Sequence, residues 1–145
     1  DIQRLLWIPG IGKMNAFTIL LEADDINRFA DVKNFFSYCR LVPSARNSAG
    51  KSKQRSSKDG NRYLKIVFTD AATHAVQYYS EIRKYHNSLL RKKSKQIAKT
   101  IIAKEIAEIV FYILKNKTNF NNKFKGVELQ HKKSLQWPRV VSPDV

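Results

Sequence analysis

Ile8-Pro9-Gly10-Ile11-Gly12-Lys13 is the stretch on which the reading of this chain turns. Proline interrupts a helix, and glycine tolerates backbone angles closed to other residues, so a proline and two glycines this close together form a tight turn. Before it, Ile2, Leu5 and Leu6 fall at helical spacing; after it, Ala16, Ile19 and Leu20 do the same. Residues 1–23 therefore predict a helix, a turn and a second helix folded into a hairpin. Trp7 and Phe17 are expected in its core. Asp24-Asp25 ends the unit.

Working outward, Asp31 is placed to cap a helix carrying Phe35, Phe36 and Cys39, and Pro43 is expected to close it. From Arg40 to Lys65 the composition turns to Ser, Lys, Arg, Gly and Asn, with eight basic residues against one acidic and hardly an apolar side chain before Tyr63. Such a stretch cannot pack on itself, so a long basic surface loop is predicted over 40–61. The helical period returns from Arg62 through Leu64, Val67, Phe68, Ala71, Ala75, Tyr79 and Ile82, which predicts one long helix. Between Arg83 and Lys104 stand eight Lys or Arg and no acidic residue, and another amphipathic helix is expected through Ile97, Ile101, Ile102, Ile106, Ile109, Val110 and Ile113. A lysine-rich first turn opposes the helix dipole unless anions sit nearby. After Asn116 the pattern gives way to an Asn- and Lys-rich tail. The expected fold is all-α: a helical hairpin, then a small bundle, five or six helices in all, within a domain over 1–115. An extended or disordered tail is expected over 116–145.

The chain has 145 residues, the length of one ordinary domain with room for a core. Its 27 Lys and Arg against 12 Asp and Glu leave a formal charge of +15, which repels itself unless a polyanion neutralises it. With 43% hydrophobic residues, that charge points to a folded nucleic-acid binder. No apolar run of about 18 residues is present, so nothing is expected to span a bilayer. The single cysteine, Cys39, permits no internal disulfide, fits a reducing setting and reads as a packed core thiol. Asp24, Asp25, Asp59 and Asp70 read as caps, turns or solvated residues rather than metal ligands. His74, His86 and His131 offer no evident base for a nucleophile. Asp1 opens within what already reads as a structured segment, so the chain is expected to be part of something longer.

Two constellations carry chemistry. In the turn, Gly10 and Gly12 present no side chains, so backbone N–H groups there and in the next helix can reach a phosphate oxygen, with Lys13 adding a point charge. The same glycines would also serve a plain helix-helix connection. The second constellation is Pro43-Ser44-Ala45-Arg46-Asn47-Ser48-Ala49-Gly50, followed by Ser57-Lys58-Asp59-Gly60-Asn61. A serine hydroxyl attacks phosphorus best when cations hold the phosphate oxygens. Arg46 could grip one phosphate in bidentate fashion while Lys51, Lys53, Arg55, Lys58 and Arg62 follow its neighbours. Ser44, Ser52, Ser56 and Ser57 share that field, so the chemistry alone does not select Ser48.

The segment Ile2 to Leu21 resembles the helix-hairpin-helix motif of DNA repair and recombination proteins. A wider order resembles the C-terminal transposase domain of bridge-RNA-guided insertion-sequence recombinases, the family that includes the Piv-type DNA invertases. That order is Ile-Pro-Gly-Ile-Gly, Arg28-Phe29 with a short helix, Leu41-Val42-Pro43 with Ser48 beyond, then Ser-Lys-Asp-Gly-Asn and Leu64-Lys65. The resemblance covers about Leu5 to Leu114. It implies a catalytic serine at Ser48 that links covalently to DNA. It also implies an N-terminal RuvC-like domain, outside this chain, that binds magnesium, with no cofactor expected within the chain itself. DNA is the implied partner, a guide RNA a further one, and the full-length protein is expected to be a homo-oligomer in the bacterial cytoplasm, associated with the nucleoid. Arg40, where Gly commonly precedes the Leu, and Ala49, where Gly commonly follows the serine, depart from the pattern. The alternative reading is a non-catalytic helix-hairpin-helix module that only grips nucleic acid, DNA or RNA.

Overall fold

The computed structural model describes residues 1–42 and 60–120. Pro43, Arg46, Ser48, Lys51, Lys53, Arg55, Lys58 and the tail from residue 121 lie outside the described residues. Within them the fold is all-α, with six α-helices and one 3-10 turn. The helices are α1 (Ile2–Leu6), α2 (Lys13–Ala23), α3 (Val32–Tyr38), α4 (Arg62–Tyr78), α5 (Ser80–Leu90) and α6 (Lys95–Asn116), and the 3-10 turn spans Ile26–Arg28. No helix among them is long and apolar enough to cross a membrane.

Side-chain caps set the starts of three of the six α-helices. Asp31 accepts from the Asn34 N–H at 2.9 Å to open α3, Asn61 accepts from the Leu64 N–H at 3.0 Å to open α4, and Ser94 opens α6 through the Ile97 N–H. The core lies where α4 and α6 pack together. Phe68 of α4 meets Phe35 of α3 edge-on, and Phe35 also meets Phe111 of α6, with ring centroids 6.0 and 5.6 Å apart. All three rings are buried at this junction. Cys39 is fully buried beside it, as expected of a core thiol, and burial pushes that thiol well above the usual range.

The element order matches the expected one, with three differences. The predicted helix from Arg62 to Ile82 is two: Tyr79 adopts an extended conformation (φ −120°, ψ 113°), and the Arg83 guanidinium folds back to bond the Val76 and Gln77 carbonyls left free at the end of α4. α3 ends at Tyr38, before Pro43, because Arg40 turns left-handed (φ 56°). Beyond Asn116, Phe120 is 3% exposed and packs on the core, so the residues just after α6 are anchored rather than loose.

Candidate nucleic-acid interface

The two glycines of the hairpin turn have different physical settings. Gly10 has φ 90°, and a Cβ built there would stand 2.2 Å from the Ala71 carbonyl oxygen and 3.2 Å from the Ala75 Cβ. Its missing side chain lets the turn lie directly on the backbone of α4, between Ile8 and Ile11, which are buried. Gly12 is exposed, at an ordinary φ of −94°, and a Cβ there would meet nothing within 4 Å. It is the N-cap of α2 and contributes no side-chain hydrogen bond, so no cap side chain covers the first N–H groups of α2, and Gly12, Lys13 and Met14 around them are exposed. Gly10 therefore seats the turn, and Gly12 leaves its outer surface accessible.

α2 runs antiparallel to α4: Asn15 near its start donates to Asp70 at 3.0 Å, and Glu22 near its end accepts from Asn61 at 2.6 Å. Ala16, Ile19 and Ala23 face inward, and the two alanines permit the close approach. The opposite face carries Met14, Phe17 and Leu21, which are 79%, 49% and 78% exposed. Phe17 is thus on the surface, contrary to the core position expected from its apolar character, whereas Trp7 packs against the core.

The described residues on either side of 43–59 meet in one network at the other end of α2. The Asn61 N–H donates to the Tyr38 carbonyl at 2.6 Å, and its side-chain amide donates to Glu22 and to the Tyr38 hydroxyl. Arg40 donates to the Gly60 carbonyl at 3.3 Å. Gly60, at φ 124°, lies against Tyr38, since a Cβ there would sit 2.7 Å from that residue's carbonyl oxygen. Arg28 completes the stem. Its guanidinium lies 4.6 Å from the Tyr38 ring centroid and 4.7 Å from that of Phe29, while donating to the Ala23 and Glu22 carbonyls at the end of α2. The hydrogen bond from Asn61 and the neighbouring Arg28 hold the Tyr38 hydroxyl below the usual tyrosine range. Chain therefore leaves at Val42 and returns at Gly60 through a clamped stem, separated from Gly12 by the length of α2, about 16 Å.

No three carboxylate, histidine or cysteine side chains among the described residues could jointly hold a metal ion. The acidic residues at the hairpin and stem are otherwise engaged: Asp25 caps the 3-10 turn, Asp31 caps α3, and Asp70 accepts from Asn15 with His74 3.7 Å away.

Of the residues singled out in the sequence, Gly10, Gly12 and Lys13 come together at the turn, and Arg62 is exposed on the first turn of α4 beside the stem. Ser48 and the cations Arg46, Lys51, Lys53, Arg55 and Lys58 lie outside the described residues. Sequence reasoning named Arg28 and Asn61 only within the family-like order, without a role in a stem, and missed Glu22 and Tyr38; Asn61, as a cap ahead of a helical period, carried a further local signal.

Comparison with known proteins supplies the affiliation. Over 122 residues the chain is 25% identical to a protein named as a family 20 transposase from Pseudomonas aeruginosa, covering 81% of this chain and 36% of that relative. Over 118 residues it is 25% identical to one named as the transposase y4pF/y4sB from Sinorhizobium fredii, covering 77% of this chain and 30% of the relative. The chain thus spans about a third of the length of these curated relatives. No solved structure matches it. The profile of the IS116/IS110/IS902 transposases matches residues 2–87, from α1 through the hairpin and the stem into α5, and the chain belongs to that family.

Proposed function

We propose that this chain is a DNA-binding domain of an insertion-sequence transposase, in which the hairpin holds the phosphate backbone and Ser48 is the nucleophile for strand cleavage and exchange. The observation that carries the DNA-binding part is the open start of α2. Gly12 sets no side chain over the first backbone N–H groups of α2, Lys13 stands beside them, and a phosphate oxygen has the charge and size to take that place. For Ser48 the support is its place in a stretch of sequence rich in Arg and Lys, flanked by a stem that, with Arg28-Phe29 and Asn61, carries the residues of the family-like order. Attack of its Oγ on a backbone phosphorus would form a phosphoserine ester and expel a deoxyribose hydroxyl. Reversal by a different hydroxyl would rejoin the strand and free the serine.

In this reading a RuvC-like domain outside the chain contributes the magnesium site, and the full-length protein works as an oligomer, with a guide RNA as a further partner. The test is strand exchange by the full-length protein and its Ser48→Ala variant. The expected result is loss of both recombinant product and covalent protein-DNA adduct, with duplex binding retained. Undiminished adduct in the variant would remove Ser48 from the role.

A further inference from the structure

We infer that the turn between α5 and α6 is a second contact for the backbone of double-stranded DNA, distinct from the hairpin. This rests on the DNA-binding reading above and extends it to a surface beyond residue 87, where the family match ends. Arg91, Lys92, Lys93 and Lys95 are all exposed, and Lys99 follows one turn later on α6. None of these five makes a salt bridge among the described residues. Acidic side chains are absent from the whole interval between Arg83 and Lys104. The cations also crowd the start of α6, whose dipole places further positive charge there. Their field is felt inside the molecule: Lys99 and Lys95, after burial, help hold His86 below the usual histidine range.

Four cations in five residues, set against the positive end of a 22-residue helix, lower the stability of the free protein, and a polyanion removes that cost. The chemistry of the patch selects among polyanions. Its exposed residues are Lys, Arg, Ser and Gln with the aliphatic Leu90 and Ile97, and of the aromatic rings on α5 Tyr85 is half-buried and bonded to Glu105 while His86 is buried. With no exposed ring in it among the described residues on which an unpaired base could stack, the patch suits the regular phosphate rows of a duplex better than a single strand. Its position suits a contact separate from the hairpin. α5 starts at the end of α4 next to the residues that seat Gly10, and carries the chain about 16 Å onward to the basic turn.

The experiment measures duplex DNA binding by the whole 145-residue chain as a function of salt, for the unmodified protein, for the variant carrying Arg91→Gln, Lys92→Gln, Lys93→Gln and Lys95→Gln, and for Lys13→Gln. The quadruple variant is expected to bind at least about tenfold more weakly near 0.1 M salt, with the slope of log affinity against log salt shallower by about 3. Lys13→Gln is expected to flatten the slope by about 1, independently. An unchanged slope in the quadruple variant, alongside the normal steep slope of the unmodified chain, overturns the second contact and leaves the hairpin reading standing. Failure of the unmodified chain to bind duplex overturns both. Weakening confined to double-stranded RNA, with DNA affinity intact, also overturns the assignment. A readout that needs no variant is lysine acetylation: DNA is expected to protect Lys92, Lys93 and Lys95, and equal labelling with and without duplex contradicts the contact.

Discussion

At the scale of single residues, the turn separates a glycine needed for folding from one that leaves a surface open. Gly10→Ala forces a side chain into the left-handed region and against the Ala71 carbonyl, and the combined strain and overlap is expected to destabilise the chain by about 3 kcal/mol or more. Gly12→Ser meets no neighbour and supplies the missing cap, so thermal stability is expected to hold or rise by up to about 1 kcal/mol. The serine hydroxyl would then occupy the N–H groups offered to phosphate, and DNA affinity should fall while the fold improves. Thermal melts paired with anisotropy titrations separate the two effects, and a Gly12→Ser variant that bound DNA more tightly would contradict them. His86 provides a second residue-scale test. Its folded value is depressed, first by burial and then by Lys99 and Lys95, below the ordinary 6.5 of the unfolded chain. The unfolded state therefore takes up the proton first, so stability is present in full above about pH 6.5 and is lost as the pH falls below it. NMR titration should show the His86 ring protonating below 6.5, and Lys99→Gln should move it upward. A value above 6.5 would reverse the sign.

At the scale of elements, the end of α3 and the start of α4 show why the chain is clamped on both sides of residues 43–59. Leu41 N–H bonds the Phe36 carbonyl and Arg40 N–H bonds the Ser37 carbonyl, an arrangement that closes a helix by passing one residue through the left-handed region. Glycine is the usual occupant, which accounts physically for the glycine expected ahead of Leu41 in the family-like order. Arg40 accepts the backbone strain and its guanidinium reaches Gly60 across the stem. Both Arg40→Ala and Arg40→Gly lose that bridge, but only the glycine variant relieves the strain, so it should be the more stable of the two by about 1 kcal/mol. Denaturant midpoints decide the order. On the other side, Asn61→Ala removes a cap and the link to Glu22 and Tyr38, with an expected loss of about 2 kcal/mol. How legible each element was follows from the range of its causes. The hairpin turn and the start of α3 rest on Pro9, Gly10 and Asp31, whose effects are local, and both are where the sequence places them. The break at Tyr79 has no glycine or proline to announce it, and the apolar period runs on through Ile82. Phe17 repeats with Met14 and Leu21 at helical spacing as a buried face would, yet the alanines on the other side are what α4 packs against. The stem joins Glu22, Tyr38 and Asn61, too far apart in the chain for any pattern to connect them.

At the scale of the whole molecule, the formal charge of +15 gives salt two opposite effects. In the free protein, cations on α5, α6 and the basic loop repel one another, and screening relieves that repulsion, so the melting temperature should climb as salt rises from about 50 to 300 mM. In the complex, duplex DNA has already neutralised those cations, and the stabilisation it confers depends on an affinity that salt erodes steeply. The melting temperature with saturating duplex should therefore start well above that of the free chain at low salt and descend toward it. Convergence follows because the same charges set both curves. A chain whose basic residues were merely a solvated surface would give one rising curve, unmoved by DNA. Melts of the 145-residue chain with and without duplex across that salt range distinguish the cases, and two parallel curves would show that DNA stabilises it through something other than charge.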